Sequence, residues 1–242
     1  MTTLVEQLSR YATSVRYEDL PSEVVHQAKR LIIDTVGCGL GGYGSAPARI
    51  ARDMAGTVRS SEGVSLIGGG ERTSLDLATF ANGVMIRFLD FNDGYTSTGE
   101  SGHPGDSIAA VLTTAELRRR NGRDAIAATV LAYEVFCRVC DAVDLKPLGF
   151  DHATVRGMAS TVAAARLLGL GEAQIVQAFN LGIAPNVSPV PDTHWQCFNV
   201  ERVRLRQCKP QCGVCRHARG AGNDRPVAHF RRRGRVFQSR DS

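Results

Sequence analysis

The residues of this sequence that are best suited to acid–base chemistry lie close together, between positions 88 and 107. Asp90 and Asp93 end an apolar run, a segment rich in Gly, Ser and Thr follows, and His103 precedes Pro104. A carboxylate and an imidazole exchange protons near neutral pH, and catalytic side chains are commonly displayed on loops between rigid elements. The pattern therefore predicts a proton-transfer site on a loop between two helices.

A second predicted loop carries another histidine, His152. In the first 192 residues only His103 and His152 fall on predicted loops, whereas His26 lies within a predicted helix and is interpreted as structural. Two imidazoles on facing loops could remove one proton and deliver another, and Asp90 could orient an imidazole or act as a base. The alternative is that Asp90 and Asp93 only end a helix, and that His152 only lies near a helix N-terminus.

Helical periodicity runs through most of the first 192 residues and determines where these loops fall. The predicted helices cover residues 3–13, 22–36, a segment beginning at Pro47, 73–89, 107–120, 124–143, 154–168 and 172–181. At the end of the second helix, the glycines around Cys38 indicate either a helix end or a close helix crossing. Strands do not alternate with helices, so we predict an all-α fold, a large helical bundle.

One short segment departs from the helical pattern. Residues 64–67 are mostly apolar and predict a short strand, and residues 68–70 are three glycines that predict a turn. The glycine spacing matches neither G-x-G-x-x-G nor the P-loop, so a phosphate-binding loop is the weaker interpretation.

Length and composition indicate an ordinary globular protein. The 242 residues suffice for one large or two small domains, with 43% hydrophobic and 22% charged residues. The first residues do not resemble a signal peptide, and no apolar window of about 18 residues predicts a membrane span. The first 192 residues contain three cysteines, Cys38, Cys137 and Cys140. So few cysteines fit a reducing cytoplasm better than a disulfide scaffold. We therefore expect a cytoplasmic protein with no membrane partner.

The net charge of +5 is distributed unevenly along the chain. Residues 193–242 contain twelve Lys and Arg against three Asp and Glu, a net of +9, which leaves −4 for residues 1–192. The positive total therefore does not indicate a nucleic-acid partner for the helical part of the chain.

Several segments of the helical part resemble the MmgE/PrpD family, which contains 2-methylcitrate dehydratase, cis-aconitate decarboxylase and related lyases of small polycarboxylates. The resemblance rests on R-Y-E-D-L-P-S-E-V-V at 16–25, A-K-R-L-I-I-D-T-V-G-C at 28–38, L-D-F-N-D-G-Y and G-H-P-G-D within 89–106, and G-F-D-H-A-T and L-L-G-L within 149–170. It implies a helical domain that is capped in the family by a smaller α/β lid domain, usually in a homodimer. It also implies catalysis without a metal or an organic cofactor.

The resemblance also assigns roles to individual residues. It implies that Asp90, His103 and His152 are catalytic and that Asp93 and Tyr95 bind substrate. Dehydration of a hydroxy-tricarboxylate requires removal of a proton α to a carboxylate and protonation of the departing hydroxyl, which suits two imidazoles. The family's D-F-N-D-T-Y is D-F-N-D-G-Y here, so Gly94 replaces a hydroxyl that helps to bind substrate. We therefore expect reduced substrate affinity.

The sequence changes character near residue 192. Four of the seven cysteines and three of the six histidines lie in residues 193–242, and four of these have the spacing of a small zinc cluster: Cys208, Cys212, Cys215 and His217. One interpretation is a non-enzymatic helical scaffold with a zinc- or nucleic-acid-binding basic tail.

A frameshift is the preferred interpretation of the tail. Codons read one base out of register permit R-T-G-S-V-S-T-W-K-G-C at 193–203, which resembles the family's T-R-x-G-x-x-S-x-W-K-G-C, and three further family-like segments follow in order. This interpretation predicts an incomplete helical domain at 1–192, without the α/β lid and the W-K-G-C lysine, and a disordered tail at 193–242. Exposed apolar helix faces would favour aggregation. We predict a lyase-type protein related to dehydratases of small polycarboxylates, with weak or no activity.

Overall fold

A computed structural model of the chain describes residues 2–70, 72–97 and 99–189, and helices make up most of these residues. Eight α-helices occur in this described part: α1 (Leu4–Ser14), α2 (Ser22–Gly42), α3 (Ala46–Ala55), α4 (Leu75–Phe88), α5 (Ile108–Leu117), α6 (Gly122–Ala142), α7 (Ala153–Leu168) and α8 (Glu172–Ile183). The described residues form no sheet, and the predicted all-α fold is confirmed.

Local sequence signals account for several helix ends. Thr3 and Glu6 form a capping box at α1, in which the Thr3 hydroxyl accepts a hydrogen bond from the Glu6 amide at 3.3 Å. The arginine run after α5 ends that helix earlier than predicted, because Arg119 adopts a left-handed backbone with φ of 49°. Asn121 then begins α6, since its side-chain oxygen accepts from the Asp124 amide at 3.0 Å.

The glycines at the end of α2 mark a close crossing of α2 and α4. The helix continues through them to Gly42, where an added Cβ would lie 2.2 Å from the Met85 carbonyl oxygen. An added Cβ on Gly39 would lie 3.0 Å from Ile67. Of the two predicted alternatives the structure therefore has the helix crossing, which fixes the position of α4 and of the loop that follows it.

Helices α6 and α7 form the centre of the bundle, and α1, α5 and α8 pack around them. Large apolar side chains from these helices are almost completely buried, among them Leu131, Phe136, Val155, Val162 and Phe179. Burial of each such side chain contributes roughly 1.5–3 kcal/mol. The pair α6–α7 is thus a rigid support for groups at its two ends.

The strand predicted at residues 64–67 is wrong. Val64 forms a single antiparallel bridge with Thr73, with hydrogen bonds of 2.8 and 3.0 Å. The next backbone amides donate to side chains, Ser65 to the Glu116 carboxylate at 3.0 Å and Ile67 to the Asn82 oxygen at 2.8 Å. Side-chain acceptors therefore satisfy the backbone that a partner strand would otherwise pair.

Several large apolar side chains remain exposed on α2, α3 and α8. Ile33 is 72% exposed, Ile50 68% and Leu181 75%. No helix among the described residues is both long and apolar enough to cross a bilayer. The basic tail, its cysteine cluster, the frameshift interpretation and the proposed boundary at residue 192 lie outside the described residues.

Candidate active site

The loop between α4 and α5 is held in shape by one antiparallel bridge. The Tyr95 amide donates to the Gly102 carbonyl at 2.8 Å, and the Gly102 amide donates to the Tyr95 carbonyl at 3.0 Å. The far end of this loop is attached to the C-terminus of α6, because the Glu100 amide donates to the Cys140 carbonyl at 2.9 Å. His103 follows directly after the bridge, so its backbone is fixed between α4 and α6.

Asp90 lies immediately beyond the end of α4. Its φ of 51° is left-handed, a conformation that Asp tolerates better than most residues. Arg87, three residues earlier, donates to the Asp90 carboxylate. The same carboxylate oxygen, Oδ1, lies 3.5 Å from His103 Nε2. The turn after α4 therefore places a carboxylate between a guanidinium and an imidazole.

The ring of His103 is held in one tautomer. Its Nδ1 lies 2.7 Å from the Asp93 carbonyl oxygen, and because a carbonyl only accepts, Nδ1 carries the proton. Burial and the neighbouring Arg87 lower the pKa of His103 below its ordinary 6.5, so the ring is neutral near neutral pH. Nε2 then has a free lone pair, and Asp90 stabilises the imidazolium that forms when Nε2 takes up a proton.

His152 provides a second imidazole next to the first. It directly precedes α7, and the centroids of the two histidine rings lie 6.2 Å apart with an angle of 58° between the ring planes. His152 Nδ1 lies 3.3 Å from Asp151 Oδ1. Gly102 makes this approach possible, since an added Cβ would lie 2.6 Å from the His152 ring. The structure thus brings Asp90, His103 and His152 together.

Two arginines that the sequence analysis did not select also lie at this site. Asp106 is 5% exposed, and its Oδ2 lies 2.8 Å from Arg156 Nη1 and 3.5 Å from Arg87 Nε. Asn92 donates to the other oxygen of Asp106 at 3.0 Å. The spacing of these arginines in the sequence could have indicated that they lie at the site. Arg87 precedes Asp90 by three residues and Arg156 follows His152 by four, so each pair shares one face of a helical turn.

The side chains of Asp93 and Tyr95 contact protein groups. Asp93 accepts from the Tyr133 hydroxyl at 3.0 Å and from the Gly105 amide at 3.1 Å, and burial raises the pKa of Asp93 to about 7. The Tyr95 hydroxyl donates to Asp141 at 2.7 Å, and burial raises the pKa of Tyr95 above its ordinary value. Both side chains hold the loop in place, and the substrate-binding role of these two residues stays a prediction.

The described part of the chain is an all-helical domain in which two imidazoles, the carboxylates of Asp90 and Asp106 and two guanidinium groups lie close together at the predicted acid–base site. The profile of the MmgE/PrpD N-terminal domain matches residues 6–194. The chain belongs to the MmgE/PrpD family, and the resemblance recognised in its sequence motifs is confirmed.

Individual relatives agree with this assignment. The chain is 32% identical over 178 residues to the 2-methylcitrate dehydratase of Cupriavidus necator, a match that covers 69% of this chain and 36% of that enzyme. It is 30% identical over 176 residues to the 2-methylcitrate dehydratase of Escherichia coli K12, covering 67% and 36%. A cis-aconitate decarboxylase-like protein of Aspergillus oryzae is 27% identical over 175 residues, covering 68% and 36%. The matches thus span little more than a third of these curated relatives.

Proposed function

We propose that the protein is a hydro-lyase that dehydrates a small polycarboxylate such as 2-methylcitrate. The observation that carries this proposal is the state of His103, whose Nδ1–H is bound to the Asp93 carbonyl, whose Nε2 lies beside Asp90 and whose ring centroid lies 6.2 Å from that of His152. The names of the relatives in bacteria support a dehydratase.

The proposed reaction uses the two imidazoles in opposite senses. His103 Nε2 removes the proton from the carbon α to a substrate carboxylate. The electron pair of that C–H bond forms a carbon–carbon double bond as the hydroxyl leaves the adjacent carbon. His152 donates a proton to this hydroxyl, which departs as water. A positioned acid or base contributes roughly 10²–10⁴-fold to such a rate.

Arg87 and Arg156 are proposed to bind the substrate's carboxylates. Their side chains are 21% and 34% exposed, so they remain accessible although both contact Asp106. A guanidinium has five N–H donors, and contacts with the described residues use only some of them. Arginine also pairs with carboxylates in a bidentate way, which would orient the α-carbon toward His103.

The location, assembly and pathway of the protein are part of this proposal. The family resemblance supports a cytoplasmic homodimer that acts in propionate catabolism without a cofactor. A small polycarboxylate is the expected partner, and neither nucleic acid nor a membrane is expected.

Product formation tests the proposed activity. The chain at high concentration would be incubated with 2-methylcitrate, and NMR would follow the unsaturated tricarboxylate that forms. His103→Gln removes the base and should lower the rate by roughly 10²–10⁴-fold. His26→Gln is the matched control, because His26 is an exposed residue of α2, and it should leave the rate unchanged.

Two results would contradict the proposal. One is a folded His103→Gln variant that keeps the parent rate. The other is a folded parent protein that neither binds nor converts 2-methylcitrate or any related hydroxy-tricarboxylate at high enzyme concentration.

A further inference from the structure

A cavity lies at the opposite end of α6 and α7 from the acid–base site. It has a volume of about 240 Å³, and its walls come from the α1–α2 connection, the junction of α5 and α6, and the end of α7. His152 precedes α7 and Arg166 lies in its last turn, so at 1.5 Å per residue the two ends are roughly 20 Å apart. The cavity is therefore separate from the proposed catalytic centre.

The lining of this cavity is rich in arginine. The lining includes four arginines and two acidic residues, which together give a net charge of +2. The arginines are Arg16, Arg120, Arg123 and Arg166, and the acidic residues are Glu18 and Asp124. The cavity also adjoins the N-terminus of α6, a 21-residue helix whose dipole favours an anion there. The charge of the cavity is thus compensated only in part by its own residues.

Two of the arginines each donate a hydrogen bond to a backbone carbonyl, and this bond uses only part of the donors of each guanidinium. Arg120 Nε donates to the Leu167 carbonyl at 2.9 Å, and Arg166 Nη2 donates to the Val15 carbonyl at 3.4 Å. Arg166 Nε is buried and has no hydrogen-bond partner among the described residues. A buried donor without an acceptor is unfavourable, so an oxyanion that supplied acceptors here would bind favourably.

We propose that this cavity binds a small oxyanion with two negative charges. Guanidinium groups bind phosphate and carboxylate oxygens through paired hydrogen bonds, and a dianion would neutralise the net charge of the lining. The volume lies below the roughly 300–1,000 Å³ of sites for drug-sized ligands, which favours a phosphate or a short dicarboxylate over a nucleotide. Both ligands share the chemistry that the cavity offers.

Calorimetric titration tests the site with inorganic phosphate and succinate as probes, in separate experiments at constant ionic strength. We expect saturable 1:1 binding of at least one probe and a higher melting temperature at saturation. Arg123→Gln should weaken that binding about tenfold, because one charged donor is lost. The Arg123 side chain is 69% exposed, so this variant keeps the fold.

Arg119→Gln is the matched control. Arg119 is a neighbouring arginine, 88% exposed, that lies outside the cavity lining, and its replacement should change the binding less than twofold. Arg87→Gln separates this cavity from the acid–base site and should leave the binding intact. Binding of phosphate alone or of succinate alone also supports the site and identifies which oxyanion it prefers.

Three results would overturn the inference. The first is a lack of saturable binding by both probes. The second is an equal loss of affinity in Arg119→Gln and Arg123→Gln, which would indicate a general charge effect. The third is loss of binding in Arg87→Gln, which would place the anion at the acid–base site. None of these outcomes depends on whether the chain dehydrates a polycarboxylate.

Discussion

The loops before and after α4 have similar backbone arrangements but different side-chain surroundings. Each is closed by a single antiparallel bridge, Val64 with Thr73 before the helix and Tyr95 with Gly102 after it. The first loop buries apolar side chains against α3 and α4. The second surrounds His103 with carboxylates and guanidinium groups. The same backbone arrangement thus supports apolar packing in one loop and a cluster of ionisable side chains in the other.

The difference lies in how each loop satisfies its polar groups. In the first loop, Glu116 and Asn82 accept hydrogen bonds from backbone amides, so their side chains complete the fold. In the second, Asp90 pairs with Arg87, and His103 keeps Nε2 available as an acceptor beside that carboxylate. Changes in the first loop should therefore reduce stability, and changes in the second should reduce activity.

After His103→Gln, Asp90→Asn should have the largest effect of the substitutions in these loops. Asn also tolerates the left-handed backbone at this position, and Arg87 keeps its contact with Asp106, so the variant should still fold. The imidazolium of His103 would lose its neighbouring negative charge, and turnover of 2-methylcitrate should fall roughly 10²–10⁴-fold. Steady-state rates and thermal melts of the same preparation provide the measurement, and an unchanged rate would remove Asp90 from the mechanism.

Val64→Ala tests the structural loop. Val64 is completely buried, so the substitution leaves a cavity and should lower the free energy of unfolding by about 2 kcal/mol. The rate at saturating substrate should not change. Val58→Ala is the control, since Val58 is 43% exposed and its truncation should cost less than about 0.5 kcal/mol. Equal costs in urea unfolding would argue against the packing described for this loop.

Asp93→Asn should change how stability depends on pH. Burial raises the pKa of Asp93 to about 7 in the folded protein from an ordinary 3.8, so between these values the folded state holds a proton that the unfolded state has released. This contribution to stability is complete below about pH 4 and is lost as the pH rises to about 7. In urea unfolding at pH 5 to 8, the variant should lose less stability with rising pH than the parent. Parallel curves would show that Asp93 does not titrate in this range.

Gly94→Thr should have the smallest effect, and a favourable one. An added Cβ at Gly94 has no neighbour within 4 Å among the described residues, which leave room for the side chain. The threonine restores the hydroxyl found in the family motif, and one added hydrogen bond should lower the dissociation constant of 2-methylcitrate about tenfold or less. Gly44→Ser adds a hydroxyl in the turn between α2 and α3, where an added Cβ meets no described atom within 4 Å, and as a control it should leave that constant unchanged. A weaker affinity in Gly94→Thr would contradict the expected contribution of a hydroxyl at this position to substrate binding.

The sequence was informative where chemistry depended on residue type and loop position. His103 and His152 could be selected because a histidine next to glycine and proline, or just before a helix, is poorly suited to helix packing. Arg87 and Arg156 were not selected, because an arginine on a helix is most often a surface residue. Their common contact with Asp106 joins residues up to 50 positions apart and appears only in the folded chain.

The wrong prediction of a strand and the undecided interpretation of the α2 glycines have the same cause, which is contact between residues that are distant in the sequence. The apolar pattern at residues 64–67 suits a strand, but acceptors on Asn82 and Glu116, 15 and 51 residues further along the chain, replace a strand partner. The glycines of α2 left two interpretations open, and only the position of Met85 decides between them. Local pattern therefore defined the helices, whereas distant side chains determined the loops.

¹⁵N NMR of the imidazole nitrogens measures the protonation state of His103 directly, without requiring turnover. We predict a neutral ring protonated at Nδ1 and a titration midpoint below 6.5, and Asp90→Asn should lower this midpoint further, because a negative neighbour is removed. A ring protonated at Nε2, or a midpoint above 6.5, would contradict the role of His103 as the base.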